Sequence, residues 1–192
     1  MQLSLFALAG IAATVSAHGY VDYPAARQVG AASIAACGKS VTDDIKKDNT
    51  SHVEGLPELA AKDSGYHAAD CNLWLCRGIQ FADNAANVQK YTPGESVNIK
   101  VKLTIPHDGS ANVSIVDTKT NKVIGEMLKV WASGYANEQK FYGKTLPADN
   151  TNFNITLPDV SAQCGTAGAC VSEHPNPKGI SGLENIGLGR FG

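Results

Sequence analysis

The sequence predicts an all-β fold, an antiparallel sandwich with a long insertion of loop and short helix near its N-terminus. Three observations point there. Val97, Ile99, Val101, Leu103 and Ile105 alternate with Ser96, Asn98, Lys100, Lys102 and Thr104, which is the period of a half-buried strand. Shorter alternations recur at Ala111, Val113 and Ile115 and again at Phe153, Ile155 and Leu157. Between them lie turn-forming stretches: Pro106-His107-Asp108-Gly109, then the polar run Asp117 to Lys122 before Val123-Ile124, with Pro158 closing the last strand. Several short strands with turn-rich spacers make a sandwich.

The segment from Gly19 to about Tyr91 has no sustained 3.6-residue period. Pro57 to Lys62 and Ala68 to Cys76 resemble one or two helical turns, and Gly65, Gly78 and Pro93-Gly94 punctuate the chain. This segment is expected to be the insertion. No repeat and no low-complexity linker divides the chain, and its length suits one core.

Residues 2–17 carry no charge, and Leu3 to Val15 is almost wholly apolar. That run is too short for a bilayer span, and Val15-Ser16-Ala17 offers small residues to signal peptidase. The reading is a leader over 1–17 and a secreted, soluble, extracellular protein beginning at His18. No later stretch is long and apolar enough for a transmembrane helix, so no membrane partner is expected. A net charge of −2 lacks the basic stripe of a nucleic-acid binder. Five cysteines in an oxidising compartment predict disulfides, with one cysteine over. Sequons occur at Asn49, Asn112 and Asn154; the last two fall on the polar phase of their strands, where a glycan is expected to stand in solvent.

Cleavage before His18 would put an α-amine and an imidazole on one residue, a ready chelate. The amine has an ordinary pKa of about 7.7–8 and yields its proton to a strongly binding cation. A second imidazole would complete three nitrogens in a T-shaped plane, a set that suits Cu(II) better than tetrahedral zinc. Of the other histidines, His52 and His174 lie in polar stretches and His67 sits beside Tyr66. His107 directly follows the strongest strand and is the best placed. The metal and catalytic residues are therefore expected to be His18 and His107, around one copper ion. No G-x-S-x-G elbow and no paired carboxylates suggest a hydrolase.

His18-Gly19-Tyr20-Val21 after a leader, with a strand ending in His107, resembles a lytic polysaccharide monooxygenase of fungal type. Cys71-Asn72-Leu73-Trp74-Leu75-Cys76-Arg77-Gly78 and Ala111-Asn112-Val113-Ser114-Ile115 resemble the branch labelled chitin-binding type 4 domains. The likeness covers about 18–171. It implies an immunoglobulin-like (fibronectin III-like) sandwich and a copper histidine brace. It also implies oxidative cleavage of glycosidic bonds in chitin, cellulose or hemicellulose, with an external electron donor and O2 or H2O2. The partners are then a polysaccharide surface and the reductant, met by a monomer. Tyr20 and Tyr23 are candidates to stack on sugar rings. The alternative readings are a non-catalytic copper-binding protein or a carbohydrate-binding one.

Relatives end with an aromatic-rich strand, an axial Tyr or Phe and a last cysteine. This chain follows that pattern through Cys164 to Val171 and then changes. Ser172 to Gly192 has no Trp, Tyr or Cys, and Glu173 to Gly179 contains two prolines that argue against a central strand. The expectation is a replaced final segment that removes the axial aromatic and the sixth cysteine together, leaving 172–192 as an atypical, disordered tail. Nothing in the sequence places Phe141 or Tyr142 beside copper as a substitute. The disulfides expected are Cys164–Cys170 and Cys37–Cys71, with Cys76 over; spacing alone leaves other pairings open.

Overall fold

The protein is described by a computed structural model covering residues 18–48, 50, 53–174 and 183–186; at 18, 173, 174 and 183–186 the main chain alone is described. Asn49 and His52, both named above, lie outside the described residues.

The long alternation forms a strand, and so do the others. The chain opens with β1 (His18–Tyr23) and then runs through the insertion, with helices α1 (Ala31–Cys37), α2 (Lys39–Lys47) and α3 (Leu56–Ala60). Next come β2 (Ser96–Ile105), β3 (Gly109–Asp117) and β4 (Lys122–Tyr135), followed by α4 (Glu138–Tyr142) and β5 (Asn152–Thr156). The short helix α5 (Ser161–Cys164) precedes β6 (Cys170–His174) and β7 (Leu183–Ile186).

Two antiparallel sheets result, one ordered β1-β2-β5 and the other β4-β3-β6-β7. Between them lies the main core. Val97, Ile99, Val101 and Leu103 from β2 meet Ala111, Val113 and Ile115 from β3, with Phe153 and Ile155 from β5. Each valine, leucine, isoleucine or phenylalanine among them, taken fully from water, contributes about 1.5–3 kcal/mol before entropy is counted. This is the immunoglobulin-like sandwich expected from the sequence.

The insertion has its own smaller core, where Val41, Ile45, Leu56, Leu73 and Ile79 surround the Cys37–Cys71 disulfide. The second disulfide joins Cys164 to Cys170, and Cys76 is buried. Gly78 is required where it stands. Its φ is +77°, and an added Cβ would lie 2.4 Å from Cys71 Sγ and 2.5 Å from Cys37 Sγ.

Ala68 to Cys76, read above as helical, forms turns that lead into one tight turn at Cys76–Gly78, and three further features depart from the sequence reading. β4 is 14 residues long and extends well past Val123-Ile124. Its pairing with β3 shifts register twice, and Gly125 and Gly134 adopt positive φ, so no clean alternation survives to be read.

The second departure concerns the C-terminal segment. β6 continues three residues past Val171 to His174 and lies between β3 and β7, so the sheet does have a fourth strand. Pro175 and Pro177 do not interrupt β6, because it ends before them. Residues 183–186 of the tail expected to be disordered form β7, while 175–182 and 187–192 lie outside the described residues.

The third is the Asn112 sequon. β3 is buried on both faces: Ala111, Val113 and Ile115 face the main core, while Asn112, Ser114 and Val116 face the other way and are also buried. Val116 and Val171 pack there against Leu75 and Cys76 of the insertion. Asn112 Oδ1 accepts from Ser114 Oγ at 2.9 Å in this buried layer. The polar phase of β3 is covered by protein and not by solvent, so Asn112 is withdrawn as a glycan site. Asn154 is exposed on β5, as its alternation predicts.

Candidate metal centre

The two histidines singled out above are brought to one end of one sheet. β1 and β2 pair antiparallel, with His18 opposite Ile105 and Gly19 opposite Leu103. One step along β1 thus spans two along β2, a bulge at Thr104. His107 follows Ile105 by two residues, beyond a fully buried Pro106. The main-chain nitrogen that cleavage would turn into an amine therefore belongs to a residue at the mouth of the His107 turn.

That turn is held from its far side. Asp108 Oδ2 accepts a hydrogen bond from Asn137 Nδ2 at 2.5 Å, and Gly109 pairs with Tyr135. Asn137 is also the N-cap of α4, its Oδ1 accepting from Lys140 N at 2.9 Å. Behind it the Asn150 side chain accepts from Ala136 N at 2.9 Å, and the Tyr135 hydroxyl donates to Asn150 O at 3.1 Å. Burial pushes the Tyr135 phenol above its ordinary value, so it stays a neutral donor. The half-buried His107 thus stands on a turn pinned by a strand on each side and by a capped helix.

Tyr20 and Tyr23 lie elsewhere on β1, opposite Lys102 and Lys100. Lys102 Nζ is 5.9 Å from the Tyr20 ring centre and Lys100 Nζ 5.8 Å from that of Tyr23, and Tyr23 is 54% exposed. They form a flank of the sheet, not part of the His107 turn. Ile105, 45% exposed and opposite His18, is an apolar surface at that end which the sequence reading assigned to the strand alone.

Phe141 packs against the main core, and Tyr142 is exposed on α4 with its ring across that of Phe141. His67 is exposed; its main-chain N–H donates to Ala36 O and its carbonyl accepts from Asp70 and Cys71, which gives it a turn-forming role. Among the described residues no group of three or more His, Cys, Asp or Glu side chains could hold a metal ion.

The Asn137–Asp108 clamp was missed from sequence. Asn137-Glu138-Gln139-Lys140 carries a recognisable helix start, but its link to Asp108 spans 29 positions and leaves no local signal.

The arrangement is thus a sandwich whose first strand begins beside a histidine turn at the end of the central strand of its sheet. The family model described as lytic polysaccharide mono-oxygenase, cellulose-degrading, matches residues 18–166, starting at His18. The chain belongs to this family of copper-dependent, polysaccharide-oxidising monooxygenases, whose members are secreted and use an external reductant with O2 or H2O2. No curated protein matches the chain. Among the described residues no helix is long and apolar enough to cross a membrane.

Proposed function

We propose that the mature protein begins at His18 and holds one copper ion through the His18 amine and imidazole and the His107 imidazole. We place it outside the cell, as a monomer, cleaving chitin or a cellulose or hemicellulose surface, in the fungal branch that its motifs resemble. The observation that carries this reading is the pairing of His18 with Ile105, which sets the new N-terminus against the His107 turn.

The donor set fits the ion: an amine and two imidazoles are borderline ligands in an arrangement that suits Cu(II). Bound copper would supply one-electron chemistry toward an oxygen species, with electrons from the external donor. The protein's part is positional. Strand pairing and the Asn137–Asp108 bond fix His107 before any substrate arrives, so little reorganisation is needed on binding. Ile105 offers an apolar surface to the C–H face of a sugar, and Tyr20 and Tyr23 extend that contact along β1.

Release of soluble oxidised oligosaccharides from chitin and from cellulose, dependent on reductant, tests the activity. Absence of release from both, by protein with a verified His18 N-terminus and bound copper, overturns it. A second reading, copper binding without turnover, draws on Ser172. It is buried in β6 opposite Ile115, with a hydroxyl that has no hydrogen-bond partner among the described residues. Such a residue at the start of the changed segment supports a replaced final strand without an axial aromatic. Copper binding with no product release would favour this second reading.

A further inference from the structure

A groove of about 810 Å³ opens along β1, between that strand and the insertion. Its size is that of small-molecule sites, roughly 300–1,000 Å³. Tyr20, Val21 and Asp22 form one wall, and Tyr20 lies two residues from His18. The opposite wall includes Arg27, Arg77 and Ile79.

Arg27 is 92% removed from solvent, at 8% relative exposure. A guanidinium carries five N–H donors in a planar fork. Among the described residues its one hydrogen bond runs from Nη1 to Ile79 O at 3.5 Å, at the long limit for such a bond. No carboxylate of the described residues pairs with it. A buried cation left without a counter-charge is costly, so an arginine lining a groove in this state is poised for an anion.

The neighbouring carboxylate is committed elsewhere. Asp83, on the same groove, accepts from Gly30 N, Ala32 N, Ser33 N and Ser33 Oγ at 2.6–3.0 Å. Burial alone would raise its pKa, but these bonds outweigh it and hold the group below the usual carboxylate range. Arg77 is partly used as well, donating to Asp48 O at 3.1 Å.

We propose that this groove binds a carboxylated sugar, with the carboxylate on the Arg27 fork. Arg27 is the buried cation of this lining without a carboxylate among the described residues, and one such charge matches a monoanion and not a phosphate dianion. The rest of the lining suits a sugar body. Tyr20 offers an aromatic face, Asp22 is an exposed acceptor for hydroxyls, and β1 is an edge strand with outward main-chain N–H and C=O groups. The site does not depend on copper or on cleavage before His18.

Calorimetric titration of the full mature chain with glucuronate, glucose and inorganic phosphate tests it. Glucuronate should bind at least about tenfold more tightly than either of the others, a difference of about 1.4 kcal/mol. Arg27→Gln should lose at least about that factor, and Arg27→Lys should recover only part of it, since an ammonium lacks the planar fork. Equal binding of glucose and glucuronate overturns the proposal, as does phosphate binding as tightly as glucuronate, or no glucuronate binding at all. Wild-type affinity in Arg27→Gln of unchanged melting temperature also overturns it. If Arg27→Gln does not fold, the three-ligand comparison on the wild type decides alone.

Discussion

The main chain of His18 pairs with that of Ile105, so the first residue of β1 sits at the exit of β2, two residues before His107. Antiparallel pairing makes this a fixed relation, since a slip of one residue would turn every β1 side chain to the opposite face. Val21, which packs into the main core, would then point to solvent. The position of His18 is thereby tied to core burial.

Replacing His107 with Ala should lower copper affinity at least about 100-fold, since losing a ligand exceeds the 10–100-fold cost of losing a supporting residue. One added glycine ahead of His18 should have a comparable effect by converting the amine to an amide. Copper titration followed by spin resonance checks both. Wild-type binding in either variant would contradict a brace at these residues.

Gly78→Ala should destabilise the protein by at least about 2 kcal/mol. The new methyl would meet the Cys37 and Cys71 sulfurs on backbone already at φ +77°. A thermal melt reads this directly. Gly94→Ala is the control: its φ is +82° with nothing within 4 Å of the added Cβ, so the smaller loss there isolates the backbone strain.

Asp83→Asn should cost about 1–2 kcal/mol at pH 7, the range for losing a charged cap. The sign with pH follows from its depressed pKa. The folded value lies below the ordinary 3.8, so the contribution is present above that pH and is lost as pH falls through the folded value. Melts of wild type and variant should converge in strong acid. A gap that persists unchanged from pH 7 to pH 2 would show that the carboxylate charge has no part in it.

Peptide mapping of protein from a glycosylating secretory host should find glycan at Asn154 and none at Asn112. Asn154 is exposed, its Oδ1 accepting from Asn98 Nδ2 at 2.9 Å on the surface of β5. Asn112 is 7% exposed. Occupancy at Asn112 in folded protein would mean that the insertion does not cover that face.

Lys119 and Thr120 cap the Asp117 carboxylate in the turn between β3 and β4, and Asp117 and Asn121 were readable as turn formers because that chemistry is local. The same holds for β2, β3 and β5, whose side chains alternate at period two regardless of what they touch. It holds also for the candidacy of His18 and His107, each marked by its neighbours in the chain: a leader before one, a strand before the other. The family resemblance rests on those same local residues.

What the tertiary structure alone decided lies in relations between distant segments. Whether the polar phase of β3 meets water or protein depends on where residues 75 and 76 fold, so Asn112 could not be judged from its own strand. β6 is a strand because β3 offers it a ladder, and β7 because β6 does, although their own sequence lacks an alternating pattern. Nothing local marks Arg27, which is buried on the lining of a groove only because the insertion folds against β1. Periodicity records how one segment meets an interface; which partner fills that interface is set by packing between segments far apart in the chain.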